Sequence, residues 1–452
     1  MSDTPLAASL AYAHDHTEAF IEQYKQLLRI PSIGADPAHR DDVRRAAEWI
    51  AAEMKRLGIE NVQVMDTDGQ PAVYGDWLHA GDDAPTALLY AHYDVQPVDP
   101  LDLWVSPPFE PEVRENKLYA RGVIDDKAGV FLHLKAFESV MAANGSLPIN
   151  VKFIFEGEEE SGSPTMEPFI VANKDLLAAD VAVISDGGSS DETPQMMAAV
   201  RGIVGGEVKV CGPKRDLHSG SYGGVVHNPI HMVGKMIGAL HDDEGRIQIP
   251  GFYDDVVPVT GAQRELIDAN EEEAIANAHE QTGLETFWGV PEYSYLERAT
   301  AQPTCDVNGV FGGYQGQGGK TVLPAEAGFK VTMRLVDNQD PNDIAEKFTA
   351  FVKSFACDTL TIDVTVASGS WPAEVVISGP LAEAAVDAYT ATWGKAPQMS
   401  RAGGSVPIIG MFQHVLDIPV VSFGLSNGSN GHSPNEYYDL DYCDINIDAA
   451  IH

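Results

Sequence analysis

The period of the hydrophobic positions changes more than once along the chain. Near the amino terminus Phe20, Tyr24, Leu27 and Leu28 fall on one helical face, and Val43, Ala46, Ala47, Ile50, Met54 and Leu57 on another. Short apolar runs follow: Ala87 to Tyr90, Val151 to Phe155 and Val181 to Ile184, with a similar run, Pro419 to Phe423, near the end. They lack the alternation of a strand wetted on one side, which predicts strands buried on both faces. Val130, Leu134, Phe137 and Met141 form one stripe of a helix between them. Buried strands alternating with helices predict an α/β fold built on a helix-covered, mostly parallel sheet.

The middle of the chain has a different texture. Phe329, Val331, Met333 and Leu335 alternate with Lys330, Thr332 and Arg334, and Leu360, Ile362, Val364 and Val366 alternate in the same way. Such strands belong to a sheet covered on one side only. Asn228-Pro229 and Asp340-Pro341 each precede a helical apolar stripe, with a capping side chain followed by a proline suited to the first helical position. The expected organisation is one α/β domain made of residues 1–199 and 373–452, with an α+β domain, 200–372, inserted into it. The run Gly309 to Lys320, with six glycines, is expected to be a mobile loop of the insert.

Composition narrows the function. At 452 residues and 44% apolar content the chain is neither disordered nor a membrane span, since no stretch approaches the roughly 18 to 20 apolar residues needed to cross a bilayer. The segment MSDTPLAASLAYAHDHTEAF has no basic region followed by an apolar one, so a cytoplasmic location is expected. Sixty-seven acidic against 29 basic residues, a net −38, argue against a nucleic-acid or anionic-membrane partner. Cys211, Cys305, Cys357 and Cys443 form no C-x-x-C pair and read as reduced, mostly buried thiols. Any metal must then be held by His, Asp and Glu.

Those residue types recur at matching places. His92 and Asp94 follow the first buried run, Glu158-Glu159-Glu160 the second, Asp186 the third, and His432 lies in the glycine-rich loop after the last. Asp125-Asp126 sit in a loop, ARGVIDDKAG, ahead of a helix. In open α/β sheets ligands bind at the carboxyl edge of the strands. Taken singly, each cluster has a plain alternative: a surface His-x-Asp pair, a solvated charge run, a helix-capping turn. His218 could be an ordinary loop histidine and Arg334 half of a surface ion pair. Their shared position at one sheet edge favours a site. Two imidazoles with carboxylates and no thiolate suit zinc or manganese, and five ligands can serve two ions if one carboxylate bridges.

Taken in order, His92-Tyr93-Asp94, ARGVIDDKAG, EGEEESGS, Ser185-Asp186, DLHSGSYGG, RAGGSVP and His432 resemble the M20 metallopeptidases, and within them the cytosolic non-specific dipeptidase and carnosinase group. The resemblance runs from LLRIPSI near residue 30 to His432. It implies two divalent metal ions per subunit, with Asp125 bridging, His92 and Asp186 completing one ion, and Glu160 with His432 the other. Asp94 would orient His92 through its second nitrogen. Glu159 would be the general base for a metal-bridged hydroxide attacking the peptide carbonyl, leaving Glu158 outside the site. The inserted domain would act as lid and dimerisation domain of a homodimer, with His218 reaching a partner's site to stabilise the oxyanion. Arg334 and Thr321 would bind the substrate's terminal carboxylate or backbone, assisted by Ser405 and the N–H groups around Gly403-Gly404. Two positions depart from the family: Ala402 replaces a glutamate, and Ser368 stands where the dipeptidases carry a substrate-contacting histidine. The resemblance implies hydrolysis of dipeptides or similar short peptides. An N-acyl-amino-acid amidohydrolase of deacetylase or desuccinylase type is the alternative, and a non-catalytic metal-binding protein on the same fold a third reading.

Overall fold

The computed structural model describes residues 4–189, 193–367 and 369–452. In chain order the main elements are α1 (Pro5–Leu28), α2 (Arg40–Arg56), β1 (Glu60–Met65), β2 (Ala72–Trp77), β3 (Thr86–His92), α3 (Lys127–Asn144), β4 (Asn150–Glu156) and β5 (Val181–Ile184). They continue as β6 (Gly202–Cys211), α4 (Pro229–Gly238), α5 (Gly261–Thr282), β7 (Thr304–Gly312), β8 (Glu326–Leu335), α6 (Pro341–Lys353), β9 (Thr361–Val366), α7 (Pro380–Trp393), β10 (Val420–Ser422) and α8 (Cys443–Ile451). Two compact units divide the chain: residues 1–198, 375–400 and 411–452, and residues 199–374 with 401–410. The short segment 401–410, which the expected boundaries left with the larger domain, thus belongs to the smaller unit.

The larger unit is built on a six-stranded sheet of order β1-β2-β4-β3-β5-β10. Strands β4, β3, β5 and β10 run parallel to one another, while β2 pairs antiparallel with β4 and β1 antiparallel with β2 at one edge. Every residue of β4 is buried, as in a strand covered on both faces, including the polar Asn150, Lys152 and Glu156. Val151, Phe153 and Phe155 pack with Val43, Ile50 and Met54 of α2 and Leu134 and Phe137 of α3. Tyr90 of β3 meets Phe412 edge to face at 5.8 Å. The first turn of α3 is fixed by Asp126, whose carboxylate accepts the N–H of Gly129 at 3.1 Å, and the helix ends at Gly145 in the left-handed region.

The smaller unit carries a four-stranded antiparallel sheet of order β7-β8-β6-β9. Its inward face, Val204, Val208, Phe329, Val331, Met333 and Leu335, packs against Met232, Val233 and Met236 of α4 and Ile344, Phe348 and Val352 of α6. Both helices start as their sequences dictate: Asn228 and Asp340 accept N–H groups two residues on, at 3.0 and 2.7 Å, ahead of Pro229 and Pro341. The glycine run is a strand for longer than expected. β7 continues through Gly312, pairing Gly309 with Lys330 and Gly312 with Ala327. Here glycine makes room instead of slack, because a side chain at the facing Gly328 would collide with the Phe311 ring and the Val208 carbonyl. Cys305 and Cys443 are buried, but Cys211 is half-buried and Cys357 exposed, and all four are free thiols. No helix among the described residues is long and apolar enough to cross a membrane.

Candidate metal centre

Residues that each follow a strand of the parallel sheet come together beyond its carboxyl edge. His92 is the last residue of β3 and is fully buried. Its Nδ1 lies 3.1 Å from the main-chain oxygen of Asp94 and 3.5 Å from that residue's Oδ1, which holds the ring from behind. Its Nε2 faces Asp125 Oδ1 at 3.2 Å and Glu159 Oε2 at 4.0 Å, outside hydrogen-bond alignment, and has no hydrogen-bond partner among the described residues. The Asp94 carboxylate is turned to the main chain, accepting the N–H groups of Glu159 at 3.1 Å and Glu160 at 3.2 Å. One buried aspartate therefore sets both the imidazole and the short turn carrying the glutamates.

Asp125 stands between the two histidines, its Oδ2 2.7 Å from His432 Nε2. Glu160 completes that side: Oε2 lies 3.3 Å from His432 Nε2 and accepts from Gln96 Nε2 at 2.7 Å, while the buried Oε1 has no partner. The donor atoms of His92, Glu159 and Asp186 lie within 4.8 Å of one another, and so do those of Asp125, Glu160 and His432. His432 holds a left-handed backbone, φ 59°, uncommon for a residue with a side chain and typical of over-determined functional positions. Glu158 takes no part in the cluster, its carboxylate accepting from the N–H groups of Gln70 and Thr165 at 3.0 and 2.8 Å.

The electrostatics follow from crowding acids and imidazoles out of water. Burial pushes Glu159 up to about 9 and Asp186 up to about 6. The His432 imidazole is drawn up to about 10 by Asp125 and Glu160 beside it. Burial works against a charge on His92, but Asp125 and Asp94 outweigh it and raise its pKa well above the ordinary value. Asp125 itself is held below the usual carboxylate range, burial being overcome by the two histidines. Orphaned nitrogen and oxygen atoms, clustered negative charge and the absence of thiolate from the set all fit a hard-to-borderline divalent cation.

Several supporting residues were not anticipated from the sequence. Glu436, fully buried, accepts from Arg121 Nη1 at 2.7 Å and from the N–H groups of Gly122 and Ile124, both at 2.9 Å. It thereby staples the loop carrying Asp125 to the loop carrying His432, four residues upstream. Asp126 caps α3 and also accepts from the His92 N–H at 3.3 Å. Gln96 steadies Glu160. Each is an ordinary polar residue in sequence, and only the fold gives it a neighbour.

The remaining candidates lie in the smaller unit, in two places. His218 is exposed, its Nδ1 accepting the Gly220 N–H at 2.9 Å, on a two-residue strand paired with Val322–Leu323; next to that pair, the Thr321 carbonyl accepts from Ser219 at 3.0 Å. Arg334, projecting from the face of β8 opposite Met333 and Leu335, donates from Nη1 to Ser405 Oγ at 2.8 Å, and the Gly404 carbonyl accepts the Arg201 N–H at 2.9 Å. Ala402 donates its N–H to the Ala199 carbonyl at 2.8 Å. Ser368 lies outside the described residues.

An α/β sheet whose carboxyl edge gathers two imidazoles and several acids around unpartnered donor atoms defines a metal-dependent hydrolase. The sequence matches the peptidase family M20/M25/M40 over residues 88–451. It is 30% identical to the Cys-Gly metallodipeptidase DUG1 of Candida albicans, covering 93% of this chain and 91% of that one. It is also 30% identical to the human Beta-Ala-His dipeptidase, over 94% of this chain and 87% of the relative. Among solved structures, an M20 family metallo-carboxypeptidase from Sulfolobus solfataricus superposes with a TM-score of 0.84 at 30% identity, covering 96% and 97% of the two chains. The chain belongs to the M20 peptidase family and is a metallopeptidase.

Proposed function

We propose that this chain is a dinuclear metallodipeptidase, hydrolysing the peptide bond of dipeptides or similar short peptides. The observation that carries the reading is Asp125 seated between His92 and His432, one oxygen toward each. In this reading Asp125 bridges two divalent cations, His92 and Asp186 complete one, and Glu160 and His432 the other. Zinc or manganese bound there supplies a Lewis acid for the scissile carbonyl and lowers the pKa of water. Glu159 acts as general base: its carboxylate accepts no hydrogen bond among the described residues, and cations held beside it would offset the burial that raises its pKa and favour the ionised form, which can take a proton from the attacking water and return it to the leaving amine. Asp94 fixes both the His92 ring and the Glu159 main chain. Arg334, Thr321, Ser405 and Gly404 bind the substrate's carboxyl end, an arginine fork being the natural partner of a carboxylate. The smaller unit is the lid and dimerisation domain of a homodimer, whose His218 stabilises the oxyanion in the partner's site, and the enzyme works in the cytoplasm.

The Candida albicans and human relatives are dipeptidases, which supports that class over N-acyl amino acids. The test is a panel of unblocked dipeptides and N-acetyl amino acids, assayed after chelation and again after zinc or manganese is restored. Chelation should abolish turnover and either metal should return it, with the dipeptides preferred. Turnover that survives complete metal removal, or confined to the acyl amino acids, overturns the proposal.

A further inference from the structure

Acids outnumber bases 67 to 29 in this chain, and the smaller unit nevertheless holds two half-buried arginines, Arg201 and Arg334, at neighbouring strands. Both guanidiniums hydrogen-bond to the Gly403–Ser405 segment. Among the described residues, neither Arg201 nor Arg334 makes an ion pair. Arg201 sits where the chain enters β6, and it is bound to the Gly403–Ser405 segment twice. Its main-chain N–H donates to the Gly404 carbonyl at 2.9 Å and its Nε to the Gly403 carbonyl at 2.8 Å. A side chain at Gly403 would begin 3.4 Å from Nη2, so the guanidinium lies against that glycine. Arg334 reaches the same segment through Ser405 Oγ. What remains is Arg201 Nη1, buried and without a hydrogen-bond partner among the described residues.

Burial, and after it the nearby Arg334, push Arg201 down to about 10, and Asp306 is the one acid acting on either guanidinium. Two partly desolvated cations held near each other, one with an orphaned donor, are unfavourable unless an anion joins them. Unpaired charge of this kind collects at functional sites. The anion that a peptidase meets in every unblocked substrate is the terminal carboxylate, a planar group matched by the guanidinium fork.

We propose that Arg201 is a substrate-binding residue that joins Arg334 in holding the α-carboxylate of the substrate's C-terminal residue. This rests on the reading above, in which Arg334 meets that carboxylate. Arg201 then has two tasks: Nε positions Gly403, and Nη1 binds the anion. The enzyme accordingly selects peptides with a free carboxyl end and discriminates against the same peptides as amides.

The experiment uses the full chain loaded with zinc or manganese, as wild type, Arg201→Lys and Arg201→Met. Each is assayed on one dipeptide and on its C-terminal amide. Losing a charged hydrogen bond to the carboxylate should raise KM for the free acid about 10- to 100-fold in Arg201→Met, with kcat nearly unchanged. KM for the amide should hardly move, and Arg201→Lys should recover part of the loss. Equal losses on acid and amide would mean that Arg201 only holds the 403–405 segment, and the proposal fails. Calorimetric titration with leucine and leucinamide separates this from the dipeptidase reading. If the wild type cleaves no dipeptide, that reading fails, yet a preference for leucine abolished by Arg201→Met still upholds Arg201. A preference that survives in Arg201→Met, or is missing from the wild type, overturns it.

Discussion

Glu159 and Glu160 are adjacent, share a turn and differ by one position, yet the structure treats them oppositely. The Glu160 carboxylate is tied to Gln96 at 2.7 Å and approaches His432 at 3.3 Å, whereas the Glu159 carboxylate accepts no hydrogen bond among the described residues. Replacing Glu159 with Gln keeps shape and breaks no hydrogen bond, so stability should stay within about 0.5 kcal/mol of wild type. Removing a general base typically slows turnover by about 10²- to 10⁴-fold, or roughly 3 to 5 kcal/mol in the barrier. Metal content should remain that of the wild type. Glu160→Gln should do the reverse in order of cause: a charged donor is lost, metal affinity falls by at least the roughly 10- to 100-fold seen for outer partners, and activity follows metal loading. The assay combines kcat/KM on a dipeptide, metal content by elemental analysis and thermal unfolding of both variants. If Glu159→Gln keeps more than a tenth of wild-type kcat/KM at full metal load, it is not the base. If it loses metal while Glu160→Gln does not, the two roles are exchanged.

Two further substitutions probe the scaffold. Glu436→Ala leaves the buried Arg121 guanidinium and two N–H groups without their acceptor, which should cost about 3 to 5 kcal/mol and weaken metal loading together; a variant with unchanged melting temperature and metal content would show that the two loops are held by something else. His133, on α3, is pushed by burial down to about 4 from 6.5. The unfolded chain therefore binds a proton that the folded one refuses between those values, so this contribution to stability is complete above pH 6.5 and is lost as pH falls toward 4. It amounts to about 3 kcal/mol. His133→Leu should flatten that part of the stability profile in denaturant unfolding at pH 7 and 4.5; equal acid sensitivity in both proteins would contradict it.

The parallel strands were legible because burial on both faces removes the polar alternation: all seven residues of β4 are buried, and only Lys152, which donates to main-chain carbonyls, interrupts its apolar run from Val151 to Phe155. The same logic explains what was not legible. β1 has a mixture of exposed and half-buried residues, so neither period stands out, and its antiparallel place at the sheet edge is set by β2. Helix α5 buries only Ile267 and Ala278 in its 22 residues. A helix so nearly polar all round has no stripe to read. The glycine run was read correctly as a loop from residue 313 to 320, but its first four residues extend β7, where the close approach of Ala327 leaves no room for a side chain at Gly312.

The metal centre divides along another line. His92, Glu160, Asp186 and His432 could be found because strand ends are visible in sequence and α/β sheets place ligands there, whereas Asp125, in a loop ahead of a helix, was marked by its motif. What orients them could not, because orientation is a matter of which main-chain group a carboxylate meets. Asp94 was expected to act through its side chain on the His92 ring. In the structure its carbonyl oxygen is the nearer partner, at 3.1 Å, and its carboxylate is occupied by the Glu159 and Glu160 N–H groups. Glu436 is more distant still from prediction: its partners are 312 to 315 residues away along the chain. The same reasoning ranks the residues by the damage their loss should do. Ligands that meet the cation directly lose affinity one at a time, whereas Asp94 and Glu436 each fix two chain segments at once. Their removal should disturb both halves of the cluster together, so that metal content in Asp94→Ala or Glu436→Ala falls at both positions and not at one.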